Sequence, residues 1–155
     1  FPKSHRPQLT IIGDGPLKKD LVDLAEELAV LESLSFIGQI PHAQVMNQLQ
    51  GADIFALTSY SEGRPNVILE AMQTGLPIIA SEIDGTKEII RHQENGLLFQ
   101  TGSVEDLHTK LRIYIDDHDL RRALGDAAQQ SIIDLELTWS NTAKQYSKLI
   151  HNVLG

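Results

Sequence analysis

Short apolar runs of three or four residues alternate with longer amphipathic stretches, and glycine or proline marks most changes of rhythm. Few folds accept that pattern. It reads as repeated strand–helix–strand units, hence an α/β chain built on a parallel sheet. Leu9–Ile12 is a buried strand ending at Gly13-Asp14-Gly15-Pro16, which is turn chemistry, and Pro16 suits the first turn of a helix. In that helix Leu17, Leu21, Leu24, Leu28 and Leu31 share one face, which is expected to turn inward. Leu34–Ile37 forms a second strand closed by Gly38, and 41–50 a second helix with Val45, Met46 and Leu49 inward. Ile54–Leu57 is a third strand, 59–64 a polar loop and 65–74 a helix stopped by Gly75. Residues 77–80 form a fourth strand, followed by a short helix near 86–91 and an edge strand at Leu97–Phe99. From Ser103 the chain is helical, with breaks near Asp116-Asp117 and Leu137-Thr138, and a final helix covers 139–154. We expect one domain over the whole chain, of Rossmann-like, doubly wound α/β class.

Composition narrows the functional classes. With 155 residues, 41% of them hydrophobic, the chain can bury a core without covalent staples. It has no cysteine, which excludes disulfides and thiolate metal sites. No apolar run approaches a membrane span, and no secretory signal opens the chain. The net charge of −8 argues against nucleic acid as a partner, because phosphate backbones are held by basic surface. A phosphate-bearing small molecule remains compatible, since helix N-termini bind anions locally.

In a parallel α/β sheet, ligands gather at the carboxyl ends of the strands. Those ends carry 13–16, 38–41, 59–66 and 81–86, where glycines and small polar residues concentrate. The most informative stretch runs from Ser61 to Met72. Glu62 lies in the loop and Glu70 lies seven residues further on than Gly63, inside the helix that follows. Between them falls the helix start, whose backbone N–H groups have no partner within the helix. Amides from Gly63 to Val67, other than that of Pro65, can hold a diphosphate there. Glu70 can accept two ribose hydroxyls, and Glu62 would then face the sugar side. The bland alternative is equally physical: a Glu ahead of a helix is often a dipole partner, and a Glu within one is often solvated.

Context favours the first reading. Ile11-Ile12-Gly13-Asp14-Gly15-Pro16, Phe36-Ile37-Gly38 and Ala52-Asp53-Ile54 precede the Ser61–Met72 segment, and Gly75-Leu76-Pro77-Ile78-Ile79-Ala80-Ser81, Asp84-Gly85-Thr86-Lys87-Glu88 and Asn95-Gly96-Leu97-Leu98 follow it. In this order the blocks resemble the C-terminal donor domain of the retaining glycosyltransferases of family 4, or group 1, which have the GT-B fold. The resemblance implies that Glu70 binds the donor's ribose and Glu62 the transferred sugar. It implies that Gly63, Arg64, Asn66 and Val67 surround the diphosphate, that Gly38 and Gln39 lie beside the base, and that Gly13 and Gly15 form the rim of the cleft. Arg64 departs from the family, where an apolar or aromatic residue is usual, so its side chain is open to two readings, a phosphate partner or a solvated residue.

The resemblance also implies a nucleotide diphosphate sugar as donor, no metal or other cofactor, and a role in polysaccharide biosynthesis. Transfer would retain the anomeric configuration, with the donor's diphosphate helping to deprotonate the acceptor hydroxyl. The family's preceding strand–helix unit, with its diphosphate-binding Arg and Lys, is not found before Leu9. A glycan or lipid-linked acceptor would be bound by an N-terminal domain outside this sequence. Such a chain is expected to be inactive alone and open to self-association through an incomplete sheet. It would work in the cytoplasm, at the inner face of a membrane through that other domain. The alternatives are a truncated or non-catalytic nucleotide-binding module, and a nucleotide-sugar epimerase of related fold.

The other polar residues carry less. The histidines are scattered without metal-ligand spacing. Glu88 reads as a first-turn carboxylate of the short helix, 116–119 as a solvated helix junction, and Trp139 as a packing anchor.

Overall fold

The computed structural model describes residues 7–134 and Ser147. The chain divides into two compact units, Phe1–Asn47 and Gln48–Gly155. The expected helix at 139–154, the break at Leu137-Thr138 and Trp139 lie outside the described residues, apart from helical Ser147.

In the first unit β1 (Leu9–Ile12) pairs in parallel with β2 (Leu34–Gly38). Helix α1 (Lys18–Glu27) and a 3-10 turn (Leu31–Ser33) connect them, and α2 (His42–Gln50) follows. Here one expectation is corrected. Leu17, Leu21, Leu24 and Leu28 are exposed, and of the α1 residues only Ala25 is buried. Periodicity put the leucines on one face, but a two-stranded sheet offers little apolar area to cover it.

The second unit holds a three-stranded parallel sheet in the order β3 (Phe55–Leu57), β4 (Ile78–Ser81), β5 (Leu97–Phe99). Helix α3 (Asn66–Gln73) crosses from β3 to β4. It ends where sequence suggested: Gly75 has φ 73°, a conformation that a residue with a Cβ adopts at a cost. Between β4 and β5 lies α4 (Asp84–Lys87), and α5 (Val104–Asp116) and α6 (His118–Asp134) follow the sheet. The four residues of β4 are all buried, as befits a central strand covered on both faces. Ile79, Leu97, Phe99, Tyr114 and Leu124 form a core cluster against which Leu107 and Leu111 pack.

Local chemistry sets the helix starts. Ser103 Oγ accepts from the Asp106 N–H at 3.1 Å, which caps α5. Asp117 Oδ1 accepts from the Leu120 N–H at 2.9 Å and so caps α6, whereas Asp116 ends α5 and pairs with Arg112 at 2.7 Å. The short helix begins two residues earlier than expected. The Thr86 hydroxyl accepts from the Ile83 N–H at 3.2 Å, which makes Asp84 the first helical residue. Glu88 is therefore the C-cap of α4 and not a first-turn residue; Asp84 holds that place and pairs with Lys87 at 3.2 Å.

Two polar side chains are anchored in the interior. Buried Asn95 accepts from the Arg91 N–H at 2.7 Å and donates to the Ile89 carbonyl at 3.2 Å and to Ser131 Oγ at 3.0 Å. Tyr114 donates to the Ile78 carbonyl at 3.2 Å, and burial pushes its hydroxyl pKa upward, so it remains a donor. Tyr114→Phe is expected to cost about 1 kcal/mol, the net value of one hydrogen bond. Urea unfolding checks this, and an unchanged midpoint would show that the bond contributes nothing.

Candidate functional site

At the carboxyl end of the three-stranded sheet, three loops converge. The loop after β3 carries Ser59 to Arg64, the turn after β4 carries Glu82 and Ile83, and the turn after β5 carries Thr101 and Gly102. They are joined by hydrogen bonds between residues far apart in sequence. Ser81 Oγ donates to the Ser59 carbonyl at 2.6 Å, and Thr101 Oγ1 donates to the Glu82 carbonyl at 3.0 Å. The Tyr60 ring stands over Gly102, where a Cβ would lie 3.4 Å from it. Together the first two loops and α4 enclose an open cavity of about 280 Å³, lined among others by Tyr60, Glu62, Glu82, Asp84 and Lys87. A larger hollow of about 660 Å³ belongs to the α5–α6 junction and has no strand end in it.

The site residues read from sequence divide between the two units. Glu62, Gly63, Arg64, Asn66, Val67 and Glu70 lie on the β3–α3 loop and on α3 itself. Glu62 is exposed, and its Oε1 accepts from Ser59 Oγ at 2.9 Å. Gly63, Arg64 and Asn66 are exposed, and Val67 is half-buried. No hydrogen bond among the described residues uses the backbone N–H of Gly63, Asn66 or Val67, whereas the Ile68 N–H is taken by the Pro65 carbonyl at 3.0 Å. Three amides, two in the first turn of α3 and one in the loop just before it, are thus without an acceptor among the described residues. Glu70 is half-buried on the same helix, one turn further on.

In the first unit the Gly13 N–H donates to the Gly38 carbonyl at 2.9 Å, which brings the ends of β1 and β2 together. Gly38 has φ 79°, so the chain turns there at no steric cost. Gln39 beside it is exposed, and the Gly15 N–H is taken up locally by Asp14 Oδ1 at 3.0 Å. Sequence reasoning did not single out Ser59, Tyr60, Ser81, Glu82 or Lys87. The strand-end segments 59–66 and 81–86 contain the first four, and Lys87 lies just beyond.

A parallel α/β unit with glycines, acidic side chains and open amides at its strand ends has the Rossmann-like arrangement, in which ligands gather at the carboxyl ends of the strands. The sequence profile of the family described as "Glycosyl transferases group 1" matches residues 2–131, and the chain belongs to that family. The sulfoquinovosyl transferase of Arabidopsis thaliana is 35% identical over 131 residues, 83% of this chain and 25% of that protein. The N-acetyl-α-D-glucosaminyl L-malate synthase of Bacillus anthracis is 27% identical over 147 residues, 95% of this chain and 38% of that protein. Among solved structures, sucrose-phosphate synthase from Thermosynechococcus elongatus superposes with a TM-score of 0.86 at 25% identity, covering 95% of this chain and 38% of that one. An Anabaena protein crystallised with UDP has the same fold, with a TM-score of 0.86 at 23% identity over 94% of this chain and 41% of that one. The chain therefore spans well under half the length of these relatives. Among the described residues no helix is long and apolar enough to cross a membrane.

Proposed function

We propose that the chain is the donor-binding domain of a retaining glycosyltransferase that takes a nucleotide diphosphate sugar and passes the sugar to an acceptor hydroxyl. One observation carries the reading. Glu62 and Glu70 flank a helix start whose Gly63, Asn66 and Val67 amides have no acceptor among the described residues. In this reading those amides receive the diphosphate, and exposed Arg64 adds a cation at its edge. Glu70 accepts the two ribose hydroxyls, and Glu62, on the cavity side, accepts a hydroxyl of the sugar. Helix dipole and amides supply the positive field, so the same reading needs no divalent ion. The roles of Gly13, Gly15, Gly38 and Gln39 toward the rim and the base are carried by family resemblance. The acceptor is held by another domain of the intact enzyme, because transfer requires both substrates in one cleft.

Calorimetry of the intact enzyme tests this. Glu70→Ala is expected to weaken binding of UDP, GDP or ADP, whichever the wild type prefers, by about 1.5–3 kcal/mol. Equal affinity in wild type and variant would remove Glu70 from the site.

A further inference from the structure

We propose that Gly85, Ser81 and Ser59 are positioning residues that hold Glu62 in place from behind. The proposal rests on the donor-binding reading above and deepens it.

Two contacts form the support. The first is steric. A Cβ at Gly85 would overlap the Gly63 carbonyl oxygen and stand 2.5 Å from that of Glu62. The backbone of α4 therefore packs directly against the peptide units that carry Glu62, closer than any other residue type allows. Gly85 has no positive φ, so conformational freedom does not account for the glycine; space does.

The second is a relay of hydroxyls. Buried Thr86 donates to the Ser81 carbonyl at 2.6 Å and so fixes the end of β4. Buried Ser81 donates to the Ser59 carbonyl at 2.6 Å, across 22 positions of sequence. Ser59 then donates its own hydroxyl to Glu62 Oε1 at 2.9 Å. An exposed carboxylate on a loop would otherwise sample several rotamers, and this chain of bonds selects one. The anchor is the central strand of the sheet, whose four residues are all buried. Geometry set in the core thus reaches the carboxylate through three side chains that need touch no ligand.

The test measures kcat, donor KM, UDP affinity and amide hydrogen exchange over 59–64 in the intact enzyme. Gly85→Ala has to part α4 from the Glu62 and Gly63 carbonyls by about 1 Å, a misplacement that costs on the order of 100-fold, so its kcat is expected to fall roughly 100-fold, and UDP affinity is expected to weaken as well because the Gly63 amide moves with the loop. Exchange over 59–64 is expected to accelerate while that of β4 stays slow. Ser59→Ala is expected to lower kcat roughly fivefold, and Ser59→Thr, which keeps the hydroxyl, to restore most of it. Wild-type kcat in folded Gly85→Ala and in Ser59→Ala would overturn the proposal. If Gly85→Ala does not fold, the Ser59 pair decides alone. If Glu62→Gln also turns over normally, the donor-binding reading itself fails. Unchanged turnover with faster exchange would leave a loop clamp without catalytic effect and overturn the link to Glu62.

Discussion

Glu62→Gln in the intact enzyme is expected to lower turnover about 100- to 1,000-fold while leaving UDP affinity within about twofold, the loss typical of one preorganised polar group at a reacting centre. The substitution is close to isosteric. The amide oxygen can still accept from Ser59 Oγ, now at 2.9 Å from Glu62 Oε1, so the loop keeps its tether and only the charge is lost. A neutral amide accepts a hydrogen bond from a sugar hydroxyl about half as strongly as a carboxylate. It also brings an N–H₂ group that faces the hydroxyl as a donor. The free nucleotide lacks the sugar, so its affinity does not report this contact. Initial rates with radiolabelled donor and acceptor give the answer, and rates within threefold of wild type would make Glu62 an ordinary surface residue.

Gly125→Ala is expected to destabilise the fold by about 3 kcal/mol or more, at or above the upper end for overpacking. A Cβ at Gly125 would overlap the Gly75 carbonyl oxygen and stand 3.3 Å from Pro77 N. Both are backbone, so no rotamer change relieves the clash. Helix α6 must move away, which loosens buried Leu124, Ala128 and Ile132 and the bond from Gln129 Nε2 to the Gln73 carbonyl at 2.9 Å. Helix propensity acts in the opposite direction, since alanine is favoured over glycine by about 1 kcal/mol within a helix. The sign of the result is therefore decisive: urea unfolding with an equal or higher midpoint would show that α6 slides freely over the Gly75–Pro77 turn.

The positions of Glu62 and Glu70 were legible because the pattern that sets them is local. One loop after β3 and one helix start put Glu62 in the loop and Glu70 on α3, and Gly75 marked the stop of α3 without reference to the rest of the chain. Bounds of β3, β4 and β5 fell within a residue of expectation for the same reason. The leucine face of α1 was legible as a face, but periodicity does not say whether anything covers it, and Leu17 and Leu28 are the most exposed of the set. The start of α4 moved because the Thr86 side chain reaches back to Ile83, a choice that Thr can make or decline. The Ser81–Ser59 bond joins two loops that only the folded sheet brings together. No spacing rule reaches across such a separation, and serine at a strand end has many ordinary uses.

Asn95 has a consequence for how the protein ages. An Asn followed by Gly is the sequence most prone to lose its side-chain amide, since the unhindered Gly96 nitrogen can close on the Asn95 side-chain carbon and expel ammonia. Asparagine is accordingly among the thermolabile residues. Here the amide is committed on both sides, to the Arg91 N–H through its oxygen and to Ile89 and Ser131 through its nitrogen. Cyclisation has to break those bonds first, so damage at this position is gated by local opening of the turn before β5. The slow appearance of one extra negative charge in stored protein would then act as a clock for that opening, running fastest in whichever variants loosen α6.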